Sequence, residues 1–311
     1  MNILYAGTPA IAVPGLAALV AAGHHVELLT NPDAPGGRGR SFVASPTKVL
    51  AVELGLTVHQ PLKLDSVVRD LFQGRFDLLV SYAFGKIFGP LFLGLFPRGG
   101  LNVHPSLLPR WRGPSPLPAA LLARDTQTGI SVQRLGLKMD AGEVVISLAR
   151  SLDGAETTGT LTEWAAAAAV PLLLEAVQLV EDGKGPWLPQ DESKATYCSL
   201  ISKEEGVLDW RLSSAELDAR IRAYDPWPVA STTWNSSKLF LRKSSWTPSP
   251  PSVVEPGAVV SIDKSKGILV QTGDGLLAVR EWQLPARKSL DFRSFLNGNP
   301  SLIGSRLGEP S

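Results

Sequence analysis

Asn102 and His104 stand two residues apart at the end of the run Gly100-Leu101-Asn102-Val103-His104, immediately before Pro105. Side chains at i and i+2 of a strand share a face, so an amide and an imidazole at this spacing point together beyond the strand's carboxyl end. Open α/β sheets bind their ligands there. The amide supplies fixed hydrogen-bond donors and the imidazole takes up or releases a proton near neutral pH, a combination suited to acyl transfer through a tetrahedral intermediate. The other three histidines, His24, His25 and His59, have no such companion and read as structural.

Such a pair needs a rigid sheet behind it, and the first half of the chain has the pattern of one. Apolar runs at 3–6, 26–30 and 78–82 alternate with helix-like segments at 15–22, 47–54 and 64–73. This βαβ alternation predicts a mainly parallel sheet covered by helices on both faces. Beyond the Asn-His strand, 117–124 reads as a helix, 129–134 and 144–150 as strands, and 161–181 as a longer helix. Within that helix the apolar stretch 165–180, interrupted by Pro171 and Glu175, is too short for a bilayer and reads as a buried element.

The first domain is expected to cover residues 1–185. Residues 186–207 carry no clean period and read as a linker. The second domain, 208–311, opens with one amphipathic helix at 213–224 that has a serine near its start. Short strands follow at 229–234, 239–244, 257–262, 267–271 and 276–282, separated by Pro, Gly, Asp and Ser, as in a small β-barrel.

Composition excludes several classes. The 311 residues accommodate two domains, and a net charge of +1 gives no global basic field, so any nucleic-acid contact must rest on local patches. The single cysteine, Cys198, rules out an intrachain disulfide and a Cys-rich zinc site. The amino terminus lacks the cationic start and long apolar run of a secretory signal, so the expected protein is cytoplasmic and off the membrane.

A set of motifs extends over nearly the whole chain. Gly7-Thr8-Pro9 follows the first strand. The loop from Asn31 to Arg40 carries Pro35, Gly36, Gly37 and Gly39 around Arg38, and Ser45-Pro-Thr-Lys48 follows it. The block Asn-Val-His-Pro-Ser-Leu-Leu-Pro-Arg-Trp-Arg-Gly occupies 102–113. Met139-Asp-Ala-Gly142 and Asp225-Pro-Trp-Pro228 come later. Together these resemble the folate-dependent formyltransferases, most closely the branch that acts on tRNA. The resemblance implies a Rossmann-like formyltransferase domain followed by an OB-like β-barrel that holds tRNA. The implied reaction moves the formyl group of 10-formyltetrahydrofolate to the α-amino group of methionine on initiator methionyl-tRNA, by a monomer that uses no metal.

The family's catalytic Asn, His and Asp fall on Asn102, His104 and Asp140. Asp140, followed by Ala141-Gly142, also fits a turn aspartate bonded to its own backbone, and both readings stand at this point. Ser106, Leu107, Leu108 and Pro109 match the family's folate-contacting segment, with Phe84 and Gly85 expected on a second wall. Arg38, Arg40 and Lys48 match the loop inserted into the tRNA acceptor arm, although a Gly-Arg run judged alone fits a solvated surface loop better. Trp227 between two prolines reads as a packing anchor. The alternative within the family is a nucleotide-sugar N-formyltransferase, which shares the Asn-His block and the later aspartate.

Overall fold

The computed structural model describes residues 1–36, 42–248 and 254–308. The chain divides into two compact units. One comprises Met1–Pro116, Gln127–Ser151 and Thr162–Ser199; the other comprises Leu117–Thr126, Leu152–Leu161 and Leu200–Ser311.

The strands of the first unit are β1 (Asn2–Gly7), β2 (His25–Leu29), β3 (Ala34–Pro35), β4 (Phe42–Val43), β5 (Val58–His59), β6 (Leu78–Tyr82), β7 (Gly100–His104), β8 (Gln127–Arg134) and β9 (Val144–Ser151). Seven of them form one sheet in the order β5-β2-β1-β6-β7-β8-β9. Pairing is parallel from β5 to β7, then antiparallel for β7–β8 and β8–β9. β1 lies at the point where the order reverses. Its end at Gly7 is level with Tyr82 of β6, which is level in turn with Val103 of β7. The three carboxyl ends therefore open on one crevice, the usual ligand site of a doubly wound sheet.

Helices α1 (Val13–Ala21), α2 (Pro46–Glu53), α3 (Ser66–Phe72) and α4 (Pro90–Leu93) connect these strands. α2 starts where local chemistry dictates: Ser45 accepts from the Lys48 amide as N-cap, and Pro46 takes a first-turn position that needs no donor. A run of aromatic rings, Phe84 on Phe88 on Phe92 on Phe96, lies in the core beside β6 and β1.

α5 (Pro116–Leu122) belongs to the second unit from Leu117 onward, and α6 (Thr158–Glu181) to the first from Thr162 onward. α6 has 24 residues, more than the expected apolar stretch, and meets the length and apolarity of a membrane-crossing helix. Its buried positions Ala165, Ala169, Leu172, Leu173, Ala176, Val177 and Val180 recur at helical spacing, the stripe of a helix packed on a core.

The second unit is β-rich. Helix α7 (Ser214–Ala223) carries a reciprocal capping box between Ser213 and Glu216. A six-stranded antiparallel sheet follows, with β10 (Ser231–Trp234), β11 (Ser237–Pro248), β14 (Gly275–Gln283), β13 (Gly267–Gln271) and β12 (Val259–Asp263) in that spatial order, and β15 (Leu290–Asp291) on β14. Helix α8 (Phe292–Gly298), unmarked in the sequence pattern, places Phe295 against Trp282 in this unit's core. Trp227 is 56% exposed, so it is not the packing anchor its flanking prolines suggested.

The flanks of the Gly-Arg loop form a short two-stranded ladder, Ala34 pairing with Val43 and Pro35 with Phe42. One further expectation is corrected. The stretch from 186 onward is more than a linker. Leu188 bridges to Val144 and Tyr197 to Arg112, so this strap lies within the first unit.

Candidate active site

Asn102, His104 and Asp140 converge. β7 delivers the first two side by side, and a turn after β8 delivers the third. Asp140 has a left-handed backbone (φ 49°). Gly142 beside it is required, because a Cβ there would stand 1.9 Å from the Arg134 carbonyl oxygen. The Asp140 carboxylate accepts from Asn102 Nδ2 (3.3 Å) and Gln133 Nε2 (3.0 Å) at Oδ1, and from the Gly113 amide (2.9 Å) at Oδ2. Its side chain reaches across to two other elements, which the turn-aspartate reading does not account for.

His104 is buried, with Nδ1 3.6 Å from Asp140 Oδ2 and Nε2 2.8 Å from the Trp111 carbonyl. A carbonyl only accepts, so Nε2 carries a hydrogen. Nδ1 faces the Asp140 carboxylate. Asn102 directs one amide hydrogen to Asp140 and has a second to offer. The arrangement thus joins a fixed donor, an imidazole and a carboxylate.

The loop after β7 is tied down by its neighbours. Ser106 Oγ donates to the Arg110 carbonyl (2.6 Å), Ser131 Oγ donates to the Ser106 carbonyl (2.8 Å), and the Leu108 amide donates to Ser131 Oγ (3.1 Å). Leu107 packs over Gly129, where a Cβ would collide with it. Gly113 (φ 118°) lets the chain pass the Cys198 carbonyl, 2.2 Å from where a Cβ would stand. Pro109 lends its carbonyl to the Thr196 amide.

Phe84 and Gly85 follow β6, which pairs with β7, but the Phe84 side chain is buried and stacked on Phe88. Its carbonyl accepts from Asn31 Nδ2 (2.9 Å). Gly85 takes a positive φ of 80° that suits glycine.

Arg38 and Arg40 lie outside the described residues. Lys48, on α2, is paired with Asp33 at 2.7 Å, and Gln60 also donates to Asp33. Hydrogen bonds from Gln60 and Lys48 hold the Asp33 carboxyl below its ordinary value.

Several contributors were not foreseen. Gln133 lies directly opposite Asn102 in the β7–β8 ladder, and Arg112 is buried with its guanidinium on Gln190 and Glu192. Glu192 pushes the Arg112 guanidinium further up, and Arg112 in turn holds the Glu192 carboxyl down.

Residues 1–177 match the family model described as formyl transferase, and 200–300 match its C-terminal domain. The chain is 40% identical to methionyl-tRNA formyltransferase of Treponema denticola over 316 residues, covering 97% of this chain and 98% of that protein. It is also 40% identical to the enzyme of that name from Methylobacillus flagellatus, covering 99% and 100%. The chain belongs to the formyl transferase family. Its fold is shared with an N-formyltransferase of Helicobacter canadensis solved with folinic acid and dTDP-3-aminofucose, at TM-score 0.67 and 16% identity, covering 89% of this chain and 97% of that one. In this formyl transferase the match over residues 1–177 spans Asn102, His104 and Asp140, and stops before the strap at 188–198.

Proposed function

We propose that this chain transfers the formyl group of 10-formyltetrahydrofolate to the α-amino group of methionine on initiator methionyl-tRNA, giving N-formylmethionyl-tRNA for translation initiation. The observation that carries the chemistry is the meeting of Asn102, His104 and Asp140 at the carboxyl end of β7. The acceptor is supported by full-length similarity, at 37–40% identity, to proteins named methionyl-tRNA formyltransferase.

The neutral amine attacks the formyl carbon and charge develops on its oxygen. A fixed donor at that oxygen contributes about 3 kcal/mol, and the uncommitted amide hydrogen of Asn102 is that donor. The attacking nitrogen sheds a proton while the leaving folate nitrogen gains one, and His104 Nδ1 with Asp140 forms the relay between them. His104 Nε2–H becomes a second donor only by leaving the Trp111 carbonyl.

Ser106, Leu107, Leu108 and Pro109 border the folate through backbone groups, as do Phe84 and Gly85. Arg38, Arg40 and Lys48 engage the tRNA, with Lys48 exchanging Asp33 for phosphate. The enzyme acts as a cytoplasmic monomer of two domains.

Incubation with 10-formyltetrahydrofolate and charged initiator tRNA tests the reading. It yields N-formylmethionine on hydrolysis of the tRNA; release of free formate alone would overturn the proposal.

A further inference from the structure

The strap at 188–198 crosses the back of the catalytic loop at several points. The Arg112 amide donates to the Thr196 carbonyl, the Cys198 amide donates to the Arg112 carbonyl, and the Trp111 amide donates to Thr196 Oγ1. One strap side chain goes further and reaches the Asp140 turn. Gln190 Nε2 donates to the Gly142 carbonyl (2.7 Å) and the Asp140 carbonyl (2.9 Å), with Gln133 Oε1 at 3.2 Å, while its Oε1 accepts from Arg112 Nη2 (2.9 Å) and Nε (3.1 Å). Chemistry fixes this orientation, since a flipped amide would set an oxygen against two carbonyls and an NH2 against a guanidinium.

We propose that Gln190 is a positioning residue for formyl transfer, an amide bridge that holds the left-handed Asp140 turn in register with the loop carrying Trp111 and Arg112. Both ends of the bridge border the catalytic pair. The Trp111 carbonyl fixes His104 Nε2, and the Gly113 amide fixes Asp140 Oδ2. Gln190 joins the backbone of the Asp140 turn to the side chain of Arg112, the residue next to Trp111. An error of about 1 Å in such a pair costs about 100-fold in rate, so the bridge acts on turnover more than on binding. The inference rests on the assignment of Asn102, His104 and Asp140 as catalytic.

Two variants separate positioning from general support. Gln190→Met removes both arms. Gln190→Glu keeps the size and the Arg112 partner and loses the donation to the two carbonyls and to Gln133 Oε1. Both are assayed with whichever acceptor the parent enzyme formylates, methionyl-tRNA or an amino-sugar nucleotide, so an error about the acceptor leaves the bridge tested.

Each variant is expected to lower kcat about 10- to 100-fold while KM for folate and acceptor stays within about threefold. In an Asp140→Asn background the same changes should cost less than about threefold, because residues that act through one group are not additive. Gln190→Glu with kcat within twofold of the parent overturns the proposal. So does a loss of equal size in the Asp140→Asn background.

Discussion

Asn102 and Gln133 face one another across the β7–β8 ladder and both donate to the same oxygen, Oδ1 of Asp140. The strand pair thus grips the carboxylate from both sides, and the Gly113 amide completes the hold from the loop. His104, two residues along from Asn102, meets the other oxygen. The site is an assembly of a parallel strand, an antiparallel strand and two turns.

Asn102→Ala removes the donor proposed for the reacting oxygen and one of the three holds on Asp140. Its kcat should fall by about 100- to 1,000-fold, with folate binding close to that of the parent. Steady-state kinetics with titration calorimetry checks this; a kcat within fivefold of the parent contradicts the role.

His104→Ala should cut turnover by about a thousandfold or more, since both the proposed relay and the contact with Asp140 are lost. Affinity for tRNA should be nearly intact, as measured by filter binding. Ordinary turnover in this variant would remove the imidazole from the mechanism.

Gly142→Ala sets a Cβ against the Arg134 carbonyl. Relief of the clash moves the Asp140 turn, so stability should drop by about 1–3 kcal/mol and kcat by about 100-fold. Thermal unfolding and kinetics together check it, and an enzyme of parental rate would show that the turn's geometry is not limiting.

Glu27 on β2 bonds His59 Nε2 at 2.6 Å and Arg75 at 2.7 Å, far from Asn102 along the sheet order. Burial pushes its carboxyl up, but the hydrogen bonds from His59 and Arg75 outweigh burial and hold it below the ordinary 4.5. A depressed carboxyl stabilises the fold above its unfolded value, and that stability is lost as pH falls through the folded value. Glu27→Gln should therefore cost about 1.5–3 kcal/mol at pH 7 and flatten the decline of Tm below about pH 4.5. A Tm-against-pH curve parallel to the parent's would contradict the sign.

Much of this was legible in the chain. Strand β6, an apolar run interrupted only by Ser81, and the i, i+2 spacing of Asn102 and His104 gave the sheet and its chemical pair, because a period of two and an apolar run are local properties. The capping serine of α7 was equally local. What the sequence left unmarked depends on pairing between distant residues. Gln133 matters only because β8 runs antiparallel to β7 with Gln133 opposite Asn102, and a single strand does not announce its register. Gln190 lies in a stretch without helical or strand period, and its role comes from a crossing more than fifty positions from Gln133. Short elements such as β5 and α4 have too few residues to show a period. Trp227 looked like a packing residue from its flanking prolines, yet side-chain exposure is set by what packs nearby.

The central claim is formyl transfer to methionyl-tRNA. The most direct test offers labelled 10-formyltetrahydrofolate to the purified enzyme with charged initiator methionyl-tRNA and, in parallel, a 4-amino-sugar nucleotide. Label in N-formylmethionyl-tRNA, abolished by His104→Ala and absent from the sugar, is the expected result. Label in the sugar with none in the tRNA would keep the catalytic trio and contradict the acceptor.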